Sequence, residues 1–310
     1  MIFARQKQCF VFFLVVAFAW LPTKAFGHHP PRISNVATTT PNTLQNEDMT
    51  FLQLGIRSAF LHFEYRGRDL KKNDETTLSI FRITPSFQLL LKTGSDLRIE
   101  VPAGHIFEAE LTGLADPTLS IGQRFSINGF RFYGSLALSI PLGLGVSKTL
   151  FSANDLALGE TIDVVTYNIQ AALSAQTPML MGAFVGRVPL RIKNASLGAR
   201  LEAGTPVKAT PQGLVFGEDI LGALGANYSY RKIYIGVGVF GEHHFADQDP
   251  SGRKFGQRSS LGLSTQGTWR FSKTFSCHAS VQFPIWQNAH GAQMLRTFVS
   301  AGSCTLGFDS

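Results

Sequence analysis

Arg82, Arg98, Glu100, Arg124, Arg131, Arg187, Glu242 and Arg270 share one kind of position: each sits on the polar phase of a short segment that alternates apolar and polar residues. Most are arginine, which stays charged and donates without accepting, so acid–base chemistry is not what such a set does. It can instead impose a fixed positive field on an enclosed, water-filled path, favouring anionic or polar solutes. The same side chains could also pair across a packed interior, with Glu100 and Glu242 as the acids. Both readings are compatible with the residues alone.

Other chemistry is poorly represented. There is no Gly-x-Ser-x-Gly elbow, phosphate-cradling loop or paired-carboxylate motif, so no catalysis is expected. An enzyme acting on lipid would need His, Ser and a third polar group on adjacent strand ends of an apolar face, and no such set is read. His278 and Ser280 share the polar phase and are expected to be a satisfied interior pair. Glu242, His243, His244, Asp247 and Asp249 cluster beside a polar loop, but adjacent histidines on a strand point to opposite faces. No metal or cofactor site is therefore expected there, and His28 and His29 give a weaker signal still. Cys277 and Cys304 lie on the apolar phase of the last two segments. Folding that hairpin about residues 287–296 sets position 277 nearly opposite 304 to 306. In an oxidising compartment either a cross-strand disulfide or two unbonded thiols would result.

These residues need strands to position them. From about Thr50 onward, breaks between amphipathic segments alternate between very short and long. That asymmetry belongs to a bacterial outer-membrane β-barrel, with tight turns on the periplasmic side and longer loops outside. Alternation predicts twelve strands: Phe51 to Phe63, Ile80 to Lys92, Leu97 to Val101, Thr118 to Ser126, Phe130 to Ile140, Val165 to Ala175, Met179 to Val188, Ile220 to Tyr230, Ile233 to Glu242, Ser259 to Phe271, Thr274 to Trp286 and Thr297 to Phe308. Tight turns are read at Thr93–Asp96, Asn128-Gly129, Gln176–Pro178, Arg231-Lys232 and Ser272-Lys273. Asn-Gly between alternating runs is the strongest of these signals. Long loops are read at Tyr65 to Thr77, Pro141 to Val164, Pro189 to Gly217 and His243 to Arg258. Within the third, Ser196 to Ala203 is amphipathic enough to be an extra strand. Phe130, Phe132, Tyr228, Tyr230, Trp269, Phe271, Phe275 and Phe308 gather at the tight-turn ends, as an aromatic girdle would.

Composition agrees. Among 310 residues only 16% are charged, against about 25% in soluble domains. The mean hydropathy of +0.08 is low for helical membrane proteins, as expected when only alternate residues meet lipid. Arg5 and Lys7 followed by the apolar run Cys9 to Leu21, then Ala25-Phe26-Gly27, read as a secretory signal over residues 1–27. Residues 28–49 read as a periplasmic segment and 50–310 as the barrel. The fold class is thus all-β: a transmembrane antiparallel up-and-down β-barrel of about twelve strands, located in the bacterial outer membrane. Its expected partners are outer-membrane lipid and lipopolysaccharide, the barrel-assembly machinery and a small solute, anionic or aromatic. The charge excess of +7 falls once Arg5, Lys7 and Lys24 leave with the signal, and no aromatic-interleaved basic patch suggests nucleic acid.

The last hairpin adds a resemblance. Val281 to Met294, with Gln282, Pro284, Gln287, Gly291 and Gln293 in order, resembles the Gln-x-Pro-x-Tyr-Gln-x-x-Asn-Gly-x-Gln-Leu stretch of outer-membrane transporters of the phenol-degradation MetA-pathway type. Gly113-Leu114-Ala115-Asp116, ahead of Leu119 to Gly122, is similar to that group's Gly-x-Gly-Asp segment. Trp286, His290 and Ala115 depart from its pattern. The resemblance implies a channel or transporter passing small solutes without catalysis. A structural or adhesive barrel with a plugged lumen, or a lipid-active barrel enzyme, is the alternative.

Overall fold

The computed structural model describes residues 51–66, 77–107, 111–142, 177–209, 215–248, 250–252, 257–289 and 293–309, with single positions at 213, 254 and 255. The signal segment, residues 28–49, the expected strand over 165–175, Asp249 and His290 lie outside the described residues.

Alternation is realised as long strands. They are β1 (Phe51–Arg66), β2 (Thr77–Leu90), β3 (Ser95–Glu100), β4 (Ala103–Ile106), β5 (Leu111–Leu114), β6 (Thr118–Ile127), β7 (Phe130–Ser139), β8 (Met179–Pro189), β9 (Ala195–Pro206), β10 (Asp219–Tyr230) and β11 (Ile233–His244). A small β12 (Asp247–Gln248) and β13 (Lys254–Phe255) follow, then β14 (Arg258–Arg270), β15 (Phe275–Ala289) and β16 (Gln293–Asp309). Every pairing is antiparallel, and β1 pairs with both β2 and β16, which closes the ring. β3 and β4 pair with successive halves of β2 and together act as one strand. β5 and β6 form the next. The result is a closed twelve-stranded antiparallel barrel, with no helix among the described residues. Closure matters in lipid, because an open edge would leave peptide groups unsatisfied.

The expected count of twelve holds, but its members differ. β7 pairs directly with β8, so the ring is complete without residues 165–175. The twelfth member is β9, the Ser196 to Ala203 piece extended at both ends. Pro189 to Gly217 is therefore no single loop. Residues 190–194 make a tight turn, closed by Leu190 N–H donating to Ala195 O and by Asn194 at φ 65°. Of the expected tight turn Gln176–Pro178, Gln176 lies outside the described residues, while Pro178 O accepts from Val207 N–H and so runs on into β8. Thr177 Oγ1 donates to Lys208 O at 2.6 Å, at the long-loop ends of β8 and β9. Two prolines explain a second difference. The stretch after Leu97 to Val101 is not simply a loop, since β4 and β5 continue the ladder. Pro102 and Pro117 lack N–H groups and break each long strand in two.

Asn128 and Gly129, at φ 51° and 81°, form the two-residue hairpin expected of Asn-Gly. Large apolar side chains such as Leu54, Ile56, Ile121, Leu224 and Val237 stand exposed on the outer surface. At the tight-turn rim Trp269 stacks on Phe271 at 5.6 Å and Phe271 on Phe275 at 5.2 Å. The buried residues lie inside the barrel. Leu221 and Phe240 pack together there, and Gly262 leaves the room that the Phe240 ring occupies, since a Cβ would overlap it.

Cys277 and Cys304 are directly opposite on β15 and β16, on the outer face, with Cα atoms 4.1 Å apart and a disulfide between them. Because the flanking ladder already fixes these strands, the bond is expected to add modestly to stability. Maleimide should label the unfolded mature chain only after reduction. Cys277→Ser should unfold within a few degrees of the parent, as a bond that mainly constrains the unfolded chain within existing pairing would.

Candidate solute pathway

In a barrel strand, alternate residues face lipid and lumen. An Arg facing lipid at the midplane costs roughly 2–4 kcal/mol, so the polar phase turns inward. Register places Arg82, Arg98, Glu100, Arg124, Arg131, Arg187, Glu242 and Arg270 on that phase, out of step with the exposed Ile83, Leu97, Ile99, Phe130 and Trp269.

The structure brings some of these together. Glu100 accepts from Arg98 Nη2 at 2.7 Å and from Arg57 Nη2 at 3.4 Å, and Arg82 lies within electrostatic reach of the same carboxylate. A second pair, Arg200 with Glu202, stands on β9. Asp96 accepts from Tyr133 Oη at 3.3 Å, and Tyr133 lies across Gly122, where a Cβ would overlap its ring. Arg187 donates from Nε to Ser196 Oγ at 2.8 Å and places its guanidinium 5.3 Å from the Tyr234 ring. Arg131 faces Arg187 across the ladder and is exposed at the tight-turn mouth.

Other expected residues stand apart. Glu242 accepts from Ser260 Oγ at 2.9 Å on the opposite wall, and Arg270 sits at the lower end of β14. His278 shares a 3.0 Å hydrogen bond with Thr268 on β14, and Ser280 is buried two residues further along β15. The lumen thus changes character along its length. Arginines crowd the β1–β9 wall, while apolar Leu61, Ile80, Met179, Leu221, Phe240 and Val299 are buried toward the long-loop end.

His243 and His244 do turn to opposite faces. His244 is almost wholly buried, with Nδ1 2.7 Å from Asp219 Oδ1 and Nε2 3.3 Å from Asp247 Oδ1. Asp247 begins the β12–β13 hairpin, and Gln248 exchanges both backbone hydrogen bonds with Val215. One imidazole therefore ties the wall to the hairpin at the lumen's long-loop end. No group of His, Cys, Asp and Glu that could hold a metal occurs among the described residues. His244→Leu fills a similar volume but removes the imidazole that Asp219 and Asp247 share. It should speed tryptic cleavage at Lys254 at least about tenfold, as loss of buried charged hydrogen bonds would, with the barrel still folded. An unchanged digestion rate would show that the Val215–Gln248 bridge alone holds the hairpin.

The outer face carries histidine–hydroxyl pairs. His62 Nδ1 is 3.0 Å from Ser79 Oγ and His243 Nδ1 is 2.7 Å from Ser259 Oγ. Both pairs are lipid-facing. Among the described residues no second side-chain hydrogen bond to either imidazole accompanies these pairs.

A closed barrel of twelve antiparallel strands with an apolar outer surface is of the outer-membrane type. No known protein family and no curated protein sequence matches the chain. Solved structures do match in fold. An outer membrane channel from Pseudomonas putida F1 superposes with TM-score 0.65 at 9% identity, covering 86% of this chain and 98% of that one. The NanC porin follows at TM-score 0.46 and 6% identity, covering 82% and 98%. A deletion mutant of the TodX monoaromatic hydrocarbon channel gives 0.41 and 9%, covering 92% and 96%.

Proposed function

We propose that the chain is a passive channel of the bacterial outer membrane for small solutes carrying an anionic group on an apolar or aromatic body. The observation that carries this is a lumen with two levels: Arg57, Arg82, Arg98 and Arg200 at mid-strand, below buried Leu61, Ile80, Leu221 and Phe240. Guanidinium groups give bidentate purchase on carboxylate or phosphate, and the apolar side chains accept the rest of the solute. Substrate-like anions would enter past the β12–β13 hairpin and leave by the Arg131 mouth. In this reading the channel works without a cofactor and without turnover. In this reading residues 1–27 direct export, the barrel-assembly machinery inserts the chain, and outer-membrane lipid with lipopolysaccharide surrounds it.

Single-channel recording of the purified protein in a planar bilayer tests the reading. Discrete conductance steps with anion preference are expected. One rival, a plugged lumen, is favoured by the His244-tied hairpin at the long-loop end and by Met179 and Phe240 buried inside the barrel. A plugged, structural barrel would show no steps in the parent or in His244→Leu.

A further inference from the structure

Among the described residues three histidines face outward, His62, His105 and His243, all near the long-loop ends of their strands. Each is held in the same way. The residue directly opposite on the neighbouring strand is a hydroxyl: Ser79, Thr112 and Ser259. The distances from Nδ1 to that oxygen are 3.0, 2.7 and 2.7 Å. Each ring also meets a phenylalanine. His105 stands edge-on to Phe107 at 4.8 Å, His243 edge-on to Phe245 at 4.5 Å, and His62 lies 6.0 Å from Phe298. Phe60 joins two of these units, 5.7 Å from Phe298 and 6.2 Å from Phe107. A continuous patch therefore runs across the seam where β1 meets β16.

The opposite rim is built differently. Its outward aromatics are Tyr, Trp and Phe, and no histidine accompanies them among the described residues. The two rims meet different leaflets, so the difference has a chemical meaning. A hydroxyl that donates to Nδ1 leaves the proton on Nε2. That nitrogen has no partner among the described residues and sits at headgroup level, beside rings that suit acyl chains. A solute in the lumen cannot reach it.

We propose that the long-loop rim carries a histidine collar that binds the phosphate groups of an acylated, phosphorylated outer-leaflet lipid. The Nε2–H groups donate to phosphate oxygens while Phe60, Phe107 and Phe298 pack against the chains. The proposal rests on the outer-membrane placement argued above and not on conduction.

The test uses the folded mature chain in dodecyl maltoside, a detergent without phosphate, with diphosphoryl lipid A or the same lipid A stripped of its phosphates. Retained lipid is counted by mass spectrometry. The diphosphoryl form should be retained about tenfold better, the scale of one or two charge-assisted hydrogen bonds. The triple variant His62→Phe, His105→Phe, His243→Phe should lose that preference and keep the parent's conductance. Should it fail to fold, Ser79→Ala, Thr112→Val, Ser259→Ala releases the Nδ1 atoms and should weaken the preference. Equal retention of the two lipids, or an unaltered preference in the variants, overturns the collar and leaves the rings as a plain girdle. Fractionation of cells making the parent separates the failures. A chain found elsewhere overturns the placement, and an outer-membrane chain without the preference overturns the collar alone.

Discussion

Glu100→Gln will push the ion preference of the open pore further toward anions and lower the barrel's unfolding temperature. The carboxylate accepts from Arg98 at 2.7 Å and Arg57 at 3.4 Å, and all three side chains are mostly screened from bulk water, Arg57 and Glu100 with only 16% and 18% exposure. Removing one partner of a buried ion pair costs about 3–5 kcal/mol in a dry interior. A lumen admits some water, so roughly half of that is expected here, which remains large against the 5–15 kcal/mol of a typical domain. The same change leaves two guanidinium groups facing each other with Arg82 nearby, which raises the local anion concentration, most at low salt. Arg98→Gln should move the selectivity the other way with a smaller stability loss, because Arg57 keeps Glu100 paired. The Arg82→Gln, Arg131→Gln double change should also move the reversal potential in a KCl gradient toward cations. If Glu100→Gln conducts with the parent's reversal potential, solute does not pass this cluster.

Why these groups could be found in part from sequence, and in part not, is a matter of contrast between the two faces. β2 alternates cleanly, so Arg82 stands out against Ile83 and Phe87. β1 does not: Ala59 and Leu61 lie on the inward phase beside Arg57 and blur it, although Arg57 is a principal partner of Glu100. β9 was faint for a related reason. Its outward phase carries Ala195, Ala199 and Ala203, small residues that give little amphipathic signal, and it is bounded by Pro189 and by its own Pro206. Reading it as part of a loop hid Arg200 and Glu202. The turn before it has no Asn-Gly pair, only Asn194 in the left-handed region. Pro102 and Pro117 cut two other strands into pieces too short to read. Groups assembled across strands were least visible. His62 with Ser79, and His244 with Asp219 and Asp247, come together through register, and spacing along one chain segment carries no trace of register.

That revised register gives an all-or-none outcome on the cell surface. An epitope inserted at Ser251 should be stained by antibody on intact cells, and one inserted at Lys193 should be stained only after permeabilisation. Counting strands from β1, with its start on the tight-turn side, the 190–194 turn falls on the same side as Asn128-Gly129 and Arg231-Lys232. Ser251 lies between β12 and β13, at the other end of the barrel. Treating Pro189 to Gly217 as one long loop would put both tags outside, so the Lys193 tag alone decides between the two readings. The turn is short and exposed, and residues at a hairpin tip tolerate insertion better than paired positions do. Assembly of each tagged chain is checked by its resistance to unfolding in cold detergent, because a closed ladder has no edge from which to fray. Surface staining at Lys193 in an assembled barrel would mean that β9 does not cross the membrane. The Arg200–Glu202 pair would then leave the lumen, and the proposed anion pathway would lose one of its walls.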